Sequence, residues 1–321
     1  MKLLIAIAVG LTTLAIGSNA IAQSYPTKPI RVVVPFPPGG GADVLARPLA
    51  PKLTEIIGQQ IVIDNRPGAN ANIVAEHVAR AAADGYTLFF GNSSLTISMS
   101  LYSKLPFDAV KDFTPVSLLS VSPSVLVLHP SIPAKSVQEL IALAKARPGK
   151  LNYGSAGIGN TMHLAGALFS TMAGVKMVHV PFKGAGPAII DLIGGQLELV
   201  FVNIPPVISH VRAGKLKAIG VTTKQRASVL PDVPTISESG LTGYEVTTWF
   251  GILGPAGLPK EIVARLNGAI VSAMGARDLR ERFTELGSEP GTSSPEHFGD
   301  FIRNDITSWA KVVKISGATA D

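Results

Sequence analysis

From Tyr25 onward, strand-like and helix-like segments alternate, and this alternation limits the possible folds more than any other feature of the chain. Ile30–Pro35, Ile61–Asp64 and Thr87–Gly91 are short apolar runs that predict buried strands, and Val44–Ile57 and Ile73–Ala83 between them have helical spacing. Such a pattern predicts parallel βαβ units with helices on both faces of the sheet. A second set follows, with helices over Val137–Ala146, His163–Met172 and Ala188–Ile193. Its strands fall over Leu151–Gly154, Met177–Val180, Leu199–Asn203 and Ala218–Thr222. Two long extended segments frame this set. Phe113–Leu128 is expected to be broken by Pro123, and Tyr244–Gly254 runs into the helical Pro259–Ala276. Read as paired hinge strands, they carry the chain out of one α/β domain and back. The expected fold is therefore α/β and two-lobed, with two doubly wound sheets joined by two hinge strands. Lobe 1 is discontinuous, over 23–123 plus 243–321, and lobe 2 covers 124–242. Two consecutive, independent domains are the alternative.

The N-terminus reads as an address. Lys2 precedes the apolar Leu3–Ile16, and Ala20-Ile21-Ala22 has the small-x-small form of a signal-peptidase site, so 1–22 is expected to be a cleaved signal peptide. The expected location is the periplasm, with a soluble mature protein that starts at Gln23. An uncleaved anchor fits less well, because the apolar run is short for a span. There is no cysteine, which removes disulfides, thiolate metal sites and a Cys nucleophile. The formal charge is +6 with Lys2 included, but Lys and Arg are scattered and aromatics are only 6% of residues. That is a poor footprint for nucleic acid. His77, His129, His179, His210 and His297 show no metal-ligand spacing, so neither metal nor cofactor is expected.

Three glycine-bearing turns follow predicted strands. The first, Phe36-Pro-Pro-Gly-Gly-Gly-Ala-Asp43, places Gly40 and Gly41 where backbone can lie against a ligand and amides at a helix start can meet an anion. It lacks the Gly-Lys-Ser/Thr ending of a phosphate loop. Asp43 is explained equally by helix capping. The second turn, Ser155-Ala-Gly-Ile-Gly-Asn-Thr-Met-His163, offers Gly157 and Gly159 for close approach, with Asn160, Thr161 and His163 at the helix start. It is neither a nucleophile elbow, since Tyr153 stands where Gly is needed, nor a full dinucleotide fingerprint. The third, Val180-Pro-Phe-Lys-Gly-Ala-Gly-Pro187, supplies Lys183. Asn92 and Ser94 close another strand and can donate to a ligand, or are ordinary loop polarity. Strand C-terminal ends in open α/β sheets are where ligands bind, so these turns point to one cleft.

Tyr25–Gly40, Asp64–Ala69, Asp84–Leu88, Leu105–Asp108, Lys111–Val116, Val180–Gly184, Leu230–Thr235 and Trp249–Gly257 run across nearly the whole mature chain. In these stretches and their order the chain resembles the tripartite tricarboxylate transporter substrate-binding proteins, the Bug-type periplasmic receptors. The resemblance implies a type II periplasmic binding fold that closes over a small organic anion. It implies a ligand carboxylate held by backbone amides between Phe36–Asp43 and Ser155–His163, with the strand ends near Asn92 and Asn203 completing the pocket. It also implies membrane permease subunits as partners. Two departures bear on the ligand's far end: Asn160 stands where Ser or Thr is usual, and Asn203 where Asp followed by Asn is frequent. An exported α/β hydrolase and a small-molecule sensor for a signalling receptor are the competing functions, and a monomer is the default state.

Overall fold

Ile30–Val34 (β1) is rich in β-branched side chains and is buried at every position but Arg31, as suits a strand covered on both faces. The computed structural model describes residues 25–319, and the expected signal peptide over 1–22 lies outside them. The chain continues through α1 (Gly41–Ile57), β2 (Ile61–Asn65), α2 (Asn72–Ala79), β3 (Thr87–Asn92) and α3 (Ser94–Leu101). β1 pairs in parallel with β2, Ile30 opposite Ile61, and with β3, Arg31 opposite Thr87. After β4 (Phe113–Leu128) come α4 (Val137–Ala146), β5 (Asn152–Ser155), α5 (Thr161–Ala173), β6 (Val178–Pro181) and α6 (Ala185–Ile193). β7 (Leu199–Asn203), α7 (Ile208–Arg212) and β8 (Lys217–Val221) complete this half. The chain returns through β9 (Thr247–Pro255), α8 (Lys260–Gly275), α9 (Arg277–Glu285), β10 (Glu289–Pro290) and α10 (Pro295–Ser316).

The strand order is β2-β1-β3-β9-β4-β7-β5-β6, with β8 and β10 also on β4. The two sheets thus share β4 rather than standing apart. Its first part runs antiparallel to β9, with Val121 opposite Trp249, and its last part antiparallel to β7, with Ser124 opposite Asn203. The expected break at Pro123 is absent. Pro123 is the last residue paired to β9, and Ser124 is the first paired to β7, so the missing N–H falls where the strand changes partners.

Each sheet is covered on both faces. One cluster joins α1 and α8 to β1 and β9 through Leu45, Leu49, Phe250 and Ile270, and a second holds Val74, Phe89, Trp249 and Phe298 on the opposite face. In the other half, Leu126, Phe169, Phe201 and Tyr244 form one cluster and Val127, Ile189, Val200 and Val202 the other. Two helices cross between the halves. α3 sends Leu95 into the first half and Ile97 and Leu101 into the second, while α10 sends Phe298 and Ile302 into the first and Trp309 into the second. Among the described residues no helix is long and apolar enough to cross a membrane.

Candidate functional site

The first turn is pinned from behind. Asp43, only 3% exposed, accepts from the Gly39 amide at 3.0 Å and from Arg47 Nε at 2.8 Å through Oδ2. Its Oδ1 accepts from Asn65 Nδ2 at 3.0 Å, and the same amide group donates to the Phe36 carbonyl. Burial pushes the Asp43 carboxyl up, but the hydrogen bonds from Arg47, Gly39 and Asn65 outweigh it and hold it below the usual carboxylate range. The carboxylate is thereby committed to the turn. Gly40 precedes α1 with no side-chain cap, so the helix start is left with bare amides.

The second turn is pinned by different chemistry. Ser155 Oγ accepts from the Gly157 amide at 3.1 Å and lies 2.6 Å from His179 Nε2. The Gly159 amide donates to His163 Nδ1 at 3.1 Å, and Asn160 Oδ1 caps α5 by accepting from the His163 amide at 3.0 Å. The imidazoles of His163 and His179 stack with centroids 4.0 Å apart. Burial pushes His163 down to about 4; burial and the neighbouring His163 push His179 down to about 3.

Between the turns lies a small cavity of about 30 Å³. Of the residues singled out in the sequence, Phe36, Gly40, Gly41, Asn92, Ser94, Asn160, Thr161 and Asn203 line it, together with Met162 and Phe250. A water needs about 10–15 Å³ of such space, so the cavity matches a carboxylate group or a couple of waters. Gly157 and Lys183 line an adjoining groove of about 580 Å³ that shares Phe36 and Ala156 with the cavity. Asp43, Ser155, Gly159 and His163 line neither, and their hydrogen bonds run inward to the turns. Ser94, grouped with loop residues on sequence, is the first residue of α3, and its amide donates to Asn92 Oδ1 at 3.2 Å.

The cavity is built from neutral donors. Among the described residues, the amides of Gly41 and Ala42 on α1 and of Asn160, Thr161 and Met162 at α5 donate to no protein acceptor. Two helix N-termini therefore converge, each with the positive end of its dipole directed at the same place. No Lys or Arg lines the cavity. Asn160 Nδ2 is buried without a partner, and so are both side-chain polar atoms of Asn70, which lines the groove. Asn70 lies in a run of three non-glycine residues with positive φ, Ala69 (43°), Asn70 (52°) and Ala71 (74°), a strained conformation. Sequence reasoning missed Asn70, Phe250 and His179. The Gly68-Ala-Asn-Ala71 run was a usable turn signal, whereas Phe250 and His179 read only as strand residues. A larger cavity of about 730 Å³ lies between α8 and α10, edged by Lys260, Glu296, Asp300 and Arg303. None of the orphaned polar atoms faces it, so the smaller cavity is the better site.

The chain has relatives among known proteins. Residues 45–318 match the model of the tripartite tricarboxylate transporter family receptor. Protein BugT of Bordetella pertussis (strain Tohama I) is 37% identical over 319 residues, spanning 99% of this chain and 98% of its own. The solved structure of R. palustris Rpa4515 with adipate is 39% identical with a TM-score of 0.89, over 92% of this chain and 99% of its own. MatC (Rpa3494) from Rhodopseudomonas palustris, with bound malate, is 35% identical with a TM-score of 0.86, over 90% of this chain and all of its own. The two-lobed α/β fold is shared with these relatives. With the family model covering most of its length and the inter-lobe cavity in place, the chain belongs to the tripartite tricarboxylate transporter receptor family.

Proposed function

We propose that this chain captures a small organic carboxylate between a lobe formed by 23–123 plus 243–321 and a lobe formed by 124–242, and delivers it to the membrane subunits of a tripartite transporter. The observation that carries the reading is the convergence of two amide-bearing helix N-termini on one cavity that no cationic side chain lines. Such a site holds an anion through dipoles and charge-assisted hydrogen bonds, with waters bridging at little cost. Members of the family are substrate-binding receptors rather than enzymes, so the hydrolase alternative falls away. They are periplasmic proteins, and a signal peptide over 1–22 is the route we propose for export. The cavity takes one carboxylate, and the groove beyond it takes the rest of the molecule. Adipate and malate, held by the two relatives, are the first ligands to try.

The direct test is calorimetric titration of ligand-free mature protein with adipate, malate and a panel of mono- and tricarboxylates, each beside its carboxamide. We expect at least one carboxylate to bind and its carboxamide to be much weaker. Equal binding of acid and amide would overturn the assignment of the cavity to a carboxylate.

A further inference from the structure

Behind the second glycine turn lies a cluster with no part in the direct contacts: Ser155, His163, His179 and Tyr153. We propose that His163, acting directly on the Gly159 amide, and His179, acting through Ser155, are positioning residues for ligand binding. They draw the amides of Gly157 and Gly159 inward, so that the amides of 160–162 are left facing the cavity. The inference rests on reading that cavity as a carboxylate site.

The hydrogen bonds define the arrangement. His163 Nδ1 receives the Gly159 amide proton, so this nitrogen carries a lone pair and any ring proton sits on Nε2. Ser155 Oγ receives the Gly157 amide proton and is 2.8 Å from the Gly157 carbonyl and 2.6 Å from His179 Nε2. One hydroxyl proton cannot serve both acceptors. Either the hydroxyl donates to Gly157 and His179 Nε2–H donates to the hydroxyl, or the hydroxyl donates to an unprotonated Nε2. In both cases His179 fixes the rotor. The rings are locked in turn: His179 is stacked between His163 at 4.0 Å and Tyr153 at 5.1 Å. Gly157 (φ 129°) and Gly159 (φ 81°) occupy backbone conformations that only glycine adopts freely, and such a turn has many alternatives to collapse into. Both amides captured by the pair belong to these two glycines. The first turn reaches the same end with a carboxylate and a guanidinium, Asp43 and Arg47.

The test compares acceptor-bearing and acceptor-free replacements. In His163→Asn the side-chain oxygen can still receive the Gly159 amide, and in His179→Gln the side chain can still meet Ser155 Oγ; the matching Leu variants can do neither. Amide hydrogen exchange at Gly157 and Gly159 is read in the ligand-free protein, and affinity is read with adipate and malate; melting curves confirm folding. The expected result is exchange about tenfold faster in folded Leu variants, with affinity lowered about tenfold or more, and substantial recovery of both in Asn and Gln. Wild-type exchange in the Leu variants would overturn the positioning role. If the wild-type protein bound neither acid nor any of the wider panel, the receptor reading would fail separately, and the exchange data would still decide the role of the pair.

Discussion

At the residue scale, the tightest test of the cavity is Gly41. A Cβ there would lie 3.3 Å from Asn203 Oδ1, across the cleft, and 3.4 Å from Phe250 Cζ in its own lobe, and the backbone of Gly41 is ordinary helix. Gly41→Val is therefore expected to weaken carboxylate binding by about a hundredfold, or about 2.7 kcal/mol, while Tm moves by only a few degrees. Calorimetric titration beside a melting curve checks both halves. Gly159 differs: its φ of +81° and a Cβ 2.2 Å from Leu101 Cδ2 mean that Gly159→Ala is expected to lower stability by about 1–3 kcal/mol. The imidazole pair gives a pH signature. Both histidines titrate lower in the fold than their usual 6.5, so the unfolded chain binds more protons below that value. Their contribution to stability is present above about pH 6.5 and is lost as pH falls towards 4 and then 3. The loss between pH 7 and 4.5 is expected to be smaller in His179→Gln, measured by denaturant melts at each pH.

At the scale of elements, α10 matters as a brace between the two cores. Midway along it, Asp305 Oδ2 accepts from Thr96 Oγ1 on α3 at 2.5 Å and from Trp249 Nε1 on β9 at 2.7 Å. Burial pushes this carboxyl up to about 6, against the hydrogen bonds from Thr96, Trp249 and Trp309. An acid raised in the fold favours folding below its unfolded value near 4 and loses that advantage as pH climbs through 6. Asp305→Asn keeps an acceptor and removes the charge, so it is expected to raise stability at pH 8 by about 1–3 kcal/mol and to lose that gain by pH 4. A variant no more stable than wild type at pH 8 would contradict this. Much of the element list was legible because β1, β2, β3 and β7 are short apolar runs and α1 and α8 keep helical spacing. α3 was not: Ser-Leu-Thr-Ile-Ser-Met-Ser-Leu is buried almost all round, and a helix without a solvent face loses its period. The course of β4 through Pro123 was hidden for another reason, since only pairing reveals where a strand changes neighbours. The turns were readable from their glycines. Which way Asp43, Ser155 and His163 would direct their bonds depends on Arg47, one helical turn from Asp43, and on Asn65 and His179, which are close only in three dimensions.

For the whole molecule, the cleft is shut in this structure. A Cβ on Gly184 would lie 2.8 Å from the Pro37 ring, Gly41 meets Asn203, and Asn70 meets Gly159, each pair bridging the proposed lobes. A cavity of about 30 Å³ has room for a carboxylate group but not for a whole dicarboxylate, so binding is expected to involve opening of the cleft. Small-angle scattering is expected to give a larger radius of gyration for ligand-free protein than for protein saturated with a binding carboxylate. Identical curves would exclude a hinge of useful size. Ligand at a hundred times its dissociation constant is expected to add about 2.7 kcal/mol of stability, readable as a thermal shift.

The unpartnered amide of Asn160 gives that movement a meaning. Asn160 Nδ2 finds no acceptor within the protein, so a carboxylate that meets it in the cavity gains a bond that the shut form completes, worth about 1.5–3 kcal/mol, or roughly tenfold to a hundredfold in favour of shutting around cargo. For any partner that senses only the shut outline, shape then becomes a truthful message about cargo. The receptor need not be inspected for its contents, because an empty one seldom looks full.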